Sequence, residues 1–235
     1  MKRNVLATAA LAVLIWGGLA RAADLAVPTP PPAFVAAPIP TWTGFYVGVN
    51  GGGGWGTTNH TFTGAVGPLT AQTGDFKVNG GVAGGTAGYN HQYGPLVAGV
   101  EADVDWSNIK GSFGGTIAGA TGSISTQLKW LDTIRGRLGY TWGPSMIYVT
   151  GGGAYGNVTA TVAGAIPALA IAGSVGQSDT RLGWTLGAGY EHMFTPNLTG
   201  KVEYLYVNLG TNTQLLVDSV KFNTNIVRGG MNWKF

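Results

Sequence analysis

The chain has no cysteine. Disulfides and cysteine-based metal sites are therefore excluded. Charge is scarce as well. Only 10% of residues are Asp, Glu, Lys or Arg, against roughly 25% in soluble domains. The three histidines, His60, His91 and His192, match no zinc-binding spacing. Beyond the amino-terminal leader no run is apolar for the ~18 residues that mark a membrane-crossing helix. The formal net charge of +3 includes Lys2, Arg3 and Arg21, which lie in that leader; without them ten basic residues face ten acidic ones. A nucleic-acid partner inferred from the pI of about 9.2 is therefore not expected.

Glycine is abundant, 41 of 235 residues, with no collagen-like period. Many glycines sit inside alternating segments, where they permit curvature and close backbone approach. Gly51–Gly54 and Gly80–Gly85 are not phosphate loops, because neither precedes Lys-Ser/Thr or a helix.

Met1–Ala22 has a basic start, an apolar run from Val5 to Leu19 and Ala20-Arg21-Ala22. This predicts a signal peptide over 1–22, with the mature chain starting at Ala23. Residues 23–41 are proline-rich and read as an extended periplasmic linker.

The stretch Leu96–Trp106 organises the rest. Leu96, Ala98, Val100, Ala102, Val104 and Trp106 alternate with Val97, Gly99, Glu101, Asp103 and Asp105. A strand puts these sets on opposite faces, one apolar and one acidic. Its length is about that of a membrane-crossing strand, roughly 9–11 residues. Lipid outside and carboxylates inside require a closed ring, since an open edge in hydrocarbon leaves backbone groups unpaired.

From Trp42 onward the pattern repeats. Connections alternate between tight turns at Gly94-Pro95, Gly143-Pro144 and Pro196-Asn197 and long loops at 56–76, 107–123, 159–179 and 210–219. Short periplasmic turns with long outer loops mark a transmembrane barrel. Residues 42–235 are thus predicted to be an all-β, eight-stranded antiparallel transmembrane β-barrel. A lipocalin-like or sandwich fold would usually show more charge outside.

The face opposite the lipid collects Glu101, Asp103, Asp105, Lys129, Arg135, Arg137, Arg181, Glu191, Lys201, Glu203 and Arg228. Pairing of the third and fourth strands around the Gly143-Pro144 turn sets Glu101 opposite Arg135 or Arg137. Eight strands leave an interior about wide enough for side chains alone. Buried charges need partners, so these residues read as an ion-paired plug; a narrow charge-lined pore is the alternative. Parity puts Asp132 beside Trp130 and Ile134 on the lipid face, unless a bulge turns it inward or it sits at headgroup level. Trp130, Tyr140, Trp142, Tyr190, Phe194, Trp233 and Phe235 cluster at strand ends, as aromatic girdles do.

Several ordered segments resemble the small outer-membrane immunogenic proteins of alpha-proteobacteria, opacity-type surface antigens with OmpA-like barrels. They are Trp42-Thr-Gly-Phe-Tyr-Val-Gly48, Gly88-Tyr-Asn90, Glu101-Ala-Asp103, Arg135-Gly-Arg-Leu-Gly-Tyr140, Gly151-Gly-Gly-Ala-Tyr-Gly156, Gly183-Trp-Thr-Leu-Gly-Ala-Gly-Tyr-Glu191 and Lys201-Val-Glu-Tyr-Leu-Tyr206. The resemblance implies a surface barrel of a Gram-negative outer membrane that supports envelope integrity, with lipid and lipopolysaccharide around it. Some relatives are described as porin-like or haem-binding. It implies that Met231, Trp233 and Phe235 form the signal read by the barrel-assembly machinery. It also implies Ala23 and Asp24 as a candidate attachment to peptidoglycan. A haem ligand at His60 is the less favoured reading of that loop residue. No nucleophile or carboxylate pair beside a histidine near the outer rim is evident. No catalytic residue, metal or cofactor is expected.

Overall fold

Eight long antiparallel strands close on themselves. The computed structural model describes residues 41–63, 70–72, 75–117, 120–166, 169–214 and 218–235. The leader, the linker before Thr41, Ala23 and Asp24 lie outside them. The strands are β1 (Gly44–Thr63), β2 (Thr70–Gln72), β3 (Phe76–Tyr93), β4 (Leu96–Ile117), β5 (Ala120–Trp142), β6 (Ser145–Ile166), β7 (Ile171–Thr195), β8 (Leu198–Gln214) and β9 (Asp218–Lys234). Each long strand pairs with its sequence neighbour, and β1 also pairs with β9, from Tyr46↔Lys234 to Phe62↔Asp218. That seam closes the ring and leaves no open edge across the hydrocarbon. The three-residue β2 pairs with the tip of β1. Among the described residues no helix is long and apolar enough to cross a membrane.

The three tight turns fall where the Gly-Pro and Pro-Asn pairs stand. Gly94 and Gly143 both have φ near +59°, a left-handed conformation that glycine adopts at no steric cost. Gly143-Pro144 joins β5 to β6, not the third and fourth barrel strands, β4 and β5. These meet at the other end, where Ile117 pairs with Ala120. The pairing of Glu101 with Arg135 nevertheless holds in register.

The expected long loops are a correction. Most of 56–63, 107–117, 159–166 and 171–179 continues as paired strand. Threonine, valine and isoleucine favour extended backbone there. Beyond the lipid both strand faces meet water, so the apolar alternation that marks a membrane strand disappears while the hydrogen-bond ladder continues.

Outward residues form an apolar band. Phe45, Val49, Val100, Val104, Ile134, Leu138, Val149, Leu182, Leu186 and Val202 are all exposed. Aromatic residues bound it. Trp142 and Tyr190 approach to 6.3 Å near the turns, and Trp130–Tyr155 and Trp184–Tyr206 to 5.4 Å near the other end. The pairs Phe45/Trp55, Trp130/Tyr140 and Trp184/Phe194 are each ten residues apart on one strand.

Candidate functional site

The interior is the site. Because side chains alternate along each strand, charges spaced two apart on β4, β5 and β8 converge inside the ring with Glu191 of β7 and Arg228 of β9. Glu101, Asp103, Asp105, Arg135, Arg137, Glu191, Lys201, Glu203 and Arg228 are all buried. Arg135 is the hub. Its Nη2 lies 2.5 Å from Glu101 Oε1 and 2.6 Å from Asp103 Oδ2, and its Nη1 lies 3.0 Å from Glu203 Oε1. Arg228 serves the next level, reaching Asp103 at 3.0 Å, Asp105 at 2.6 Å and Glu203 at 2.8 Å. Lys201 donates to Glu101 Oε2 at 2.8 Å. Arg137 donates to Glu191 Oε2 at 2.7 Å and lies over the Tyr148 ring at 3.9 Å.

Neutral side chains add further hydrogen bonds. Tyr46 donates to Glu101, Tyr148 to Glu203, Thr133 to Asp103, and Thr199 and Asn232 to Glu191. Charge-assisted hydrogen bonds of this kind are the strong ones. They offset the desolvation that makes buried charge costly.

Two of the charges read as inward need separate treatment. Lys129 is exposed and belongs to no part of the network. The β5–β6 register shifts between Leu128 and Trp130, and this bulge puts Lys129 and Trp130 on the outer side. Leu128, which shares parity with the lipid-facing Trp130 and Ile134, is instead fully buried, and so is Leu131. One extra residue inverts the parity on its far side. Arg181 is buried but stands apart, with Nε 3.9 Å from Asp179. Asp132 stays on the outer face, half-buried, paired with Val104 and Tyr155 one step inside Trp130. The bulge nearby does not turn it in.

Sequence reasoning missed two apolar layers that flank the ions. On the loop side lie Val78, Val82, Ile109, Leu128, Leu131, Val158, Leu205, Val207, Leu209, Phe222 and Ile226. On the turn side lie Trp42, Val97, Met146, Tyr148 and Met193. A signal existed in β8, where Leu205, Val207 and Leu209 share parity with Lys201 and Glu203. Trp42 closes the turn-side mouth. Its backbone N–H donates to Gln92 Oε1 at 2.8 Å, Gln92 N–H donates to Thr43 Oγ1 at 3.0 Å, and Lys234 Nζ donates to the Thr41 carbonyl.

The remaining expected positions lie elsewhere. Met231 and Trp233 lie on the outer face of β9, Phe235 follows directly after it, and all three are exposed. His192 Nδ1 is 3.0 Å from Ser145 Oγ, and His91 packs on Tyr93 at 4.3 Å, both at the turn end. The His60 side chain lies outside the described residues. Among the described residues no group of three His, Cys, Asp or Glu could hold a metal.

An apolar, aromatic-bounded exterior around a closed ring with an ionic interior defines a transmembrane β-barrel of the bacterial outer membrane. Comparisons with known proteins agree. Residues 22–235 match the outer membrane protein beta-barrel domain family, and the chain belongs to it. The chain is 38% identical over its full length, and that of the relative, to the 31 kDa outer-membrane immunogenic protein of Brucella melitensis. It is 33% identical to the 25 kDa outer-membrane immunogenic protein of Brucella abortus, covering 100% of this chain and 99% of that one. Among solved structures, the outer membrane protease OmpT of Escherichia coli aligns with a TM-score of 0.50 at 10% identity, covering 82% of this chain and 97% of that one. That likeness concerns the fold alone.

Proposed function

We propose that the protein is a structural surface barrel that supports envelope integrity and conducts no solutes. The observation that carries this reading is the layered interior. An ion-paired layer is held between two apolar layers, which interrupts a continuous polar path through the barrel. Ion conduction needs such a path, and hydrophobic constrictions block it by dewetting. Lipid and lipopolysaccharide would be the immediate partners. Met231 and Trp233 on the outer face of the last strand, with Phe235 directly after it, suit recognition by the barrel-assembly machinery before closure. In this reading residues 1–22 are removed and 23–41 span part of the periplasm, with Ala23 or Asp24 as the attachment to peptidoglycan. Mass spectrometry of muramidase-released envelope tests that attachment. A free Ala23 amine alone would remove it.

The central test is conductance of the purified barrel in planar bilayers, beside the leakage of a deletion strain. Silent insertions with increased leakage in the deletion strain are expected. Stable openings in most insertions would overturn the closed interior.

A further inference from the structure

Every exposed lysine among the described residues stands at the loop end of the barrel. Lys77, Lys110, Lys129 and Lys221 point outward, while Phe76, Val78, Ile109, Leu128 and Phe222 beside them are buried. At the turn end the outer wall carries no exposed lysine or arginine among the described residues. Register sets the four on one line. Asn79 of β3 pairs with both Trp55 of β1 and Lys110 of β4. Lys77 lies two residues beyond Asn79, and Lys129 lies two residues from Gln127, the partner of Lys110 on β5. Lys77, Lys110 and Lys129 are thus diagonal neighbours on adjacent strands, with backbones about 7–8 Å apart. Lys221 continues the line across β1, where it pairs with Asn59, two residues beyond Thr57, the partner of Lys77. The aromatic rim follows the same slope, because Trp106 stands four residues short of Lys110, which shares the rung of Trp55. The lysines therefore run beside that rim on its loop side, from Lys129 next to Trp130 to Lys110 four residues past Trp106. That is within about 10 Å of the rim, at about 3.3 Å per residue and a tilt of roughly 40°.

These lysines lack counter-charges within the chain. Inside, Arg135, Arg137, Lys201 and Arg228 each hold at least one carboxylate. Outside, none of the four lysines forms an ion pair among the described residues. Asp75, two residues before Lys77, accepts instead from Asn59 Nδ2 at 3.0 Å. The opposite wall differs. There the outward polar groups of β6 and β7 serve one another, Asn157 donating to Thr180 and Thr159 Oγ1 lying 2.7 Å from Ser178 Oγ. No exposed cation stands on β6, β7 or β8 among the described residues.

We propose that the outer wall of β9, β1, β3, β4 and β5 binds a phosphorylated lipopolysaccharide headgroup, with Lys77, Lys110 and Lys129 converging on its phosphates. Next to the hydrocarbon boundary the anions at hand are those of lipid headgroups. An ammonium is a compact point charge suited to phosphate. Its aliphatic stem lies along the apolar wall while the charge reaches the headgroup. Basic side chains clustered at a membrane surface add up in binding anionic lipid. The wall of β6, β7 and β8 would meet lipid through acyl chains alone, so the barrel has one face that retains lipid and one that exchanges it. This deepens the proposed lipopolysaccharide partnership and rests on the loop end facing outward. It does not depend on whether the interior conducts.

The test is titration of the purified barrel in detergent micelles with bisphosphorylated lipid A, read by native mass spectrometry. One retained lipid per barrel is expected. Lys77→Gln, Lys110→Gln and Lys129→Gln together should weaken retention about 100-fold, at about fivefold for each lysine. The triple variant touches no interior group and should melt with the native barrel, which checks its fold. Lipid A stripped of its phosphates should be held by the native barrel as weakly as the variant holds the intact lipid. Equal retention of the phosphate-free lipid, or of the intact lipid by the folded variant, would overturn the proposal. So would full displacement by millimolar inorganic phosphate, which would leave a bare anion site. A barrel that conducts yet retains the lipid would overturn the closed interior and leave this site standing.

Discussion

Arg228→Met removes a cation but keeps the unbranched aliphatic bulk of the stem. Asp103 and Glu203 then retain Arg135, at 2.6 and 3.0 Å. Asp105 keeps no ion-pair partner, because Arg228 is the one it has among the described residues. Breaking a buried pair and stranding one charge costs about 3–5 kcal/mol. Arg135→Met is the comparison. Glu101 keeps Lys201 at 2.8 Å, while Asp103 and Glu203 keep Arg228 at 3.0 and 2.8 Å. No carboxylate is stranded, so the loss should fall at or below about 3 kcal/mol. For a chain of this size each kcal/mol shifts the melting midpoint by about 2–4 °C. Arg228→Met should therefore melt roughly 6–20 °C below the native barrel, and below Arg135→Met. Tryptophan emission from the seven tryptophans of residues 42–235 in detergent micelles reads the midpoint. Adding Asp105→Asn to Arg228→Met should recover part of the loss, since the stranded charge is then gone. A midpoint for Arg228→Met within about 2 °C of native, or above that of Arg135→Met, would refute the assignment of Asp105 to Arg228.

Other outcomes follow from single positions. Trp42→Ala should cost about 3–5 kcal/mol by emptying the turn-side layer, measured by urea unfolding in micelles. Gly84→Ala should destabilise by about 1–3 kcal/mol, because its Cβ would meet the Val104 carbonyl at 2.1 Å. Gly51→Ala, whose Cβ meets nothing closer than 3.7 Å, should stay within about 0.5 kcal/mol in the same assay. Ile134→Arg, on the lipid face and 74% exposed, should cost about 2–4 kcal/mol when folding into bilayers is measured. Lys129→Ala, outside the network, should change folding there by less than about 0.5 kcal/mol; a loss near that of Arg135→Met would return Lys129 to the interior.

The ring and its ionic lining were legible because period-two alternation survives wherever lipid lies on one side. Leu96–Trp106 carries it without interruption, and β4 and β5 place Glu101 opposite Arg135 as parity suggests. Lys129 and Leu128 were misplaced because a bulge has no composition of its own, yet it exchanges the faces beyond it. The strand extensions at 107–117 and 171–179 were hidden for another reason. Outside the lipid neither face needs to be apolar, so pairing leaves no hydropathy trace. The inner apolar layers were hidden because Leu205, Val207 and Leu209 alternate with Tyr204, Tyr206 and Asn208. A segment greasy on both faces does not announce which side is dry.

The ten-residue interval between aromatic rims on β1, β5 and β7 is also a ruler. At about 3.3 Å per residue and a tilt of roughly 40°, it spans about 25 Å of hydrocarbon. Bilayers with cores near 30 Å would have to thin around the wall or force it to lean, at a cost that rises with each ångström of mismatch. The bacterial outer membrane is thinner than average. The protein's own dimensions therefore bias it toward that bilayer and against the cytoplasmic one it must cross first as an unfolded chain.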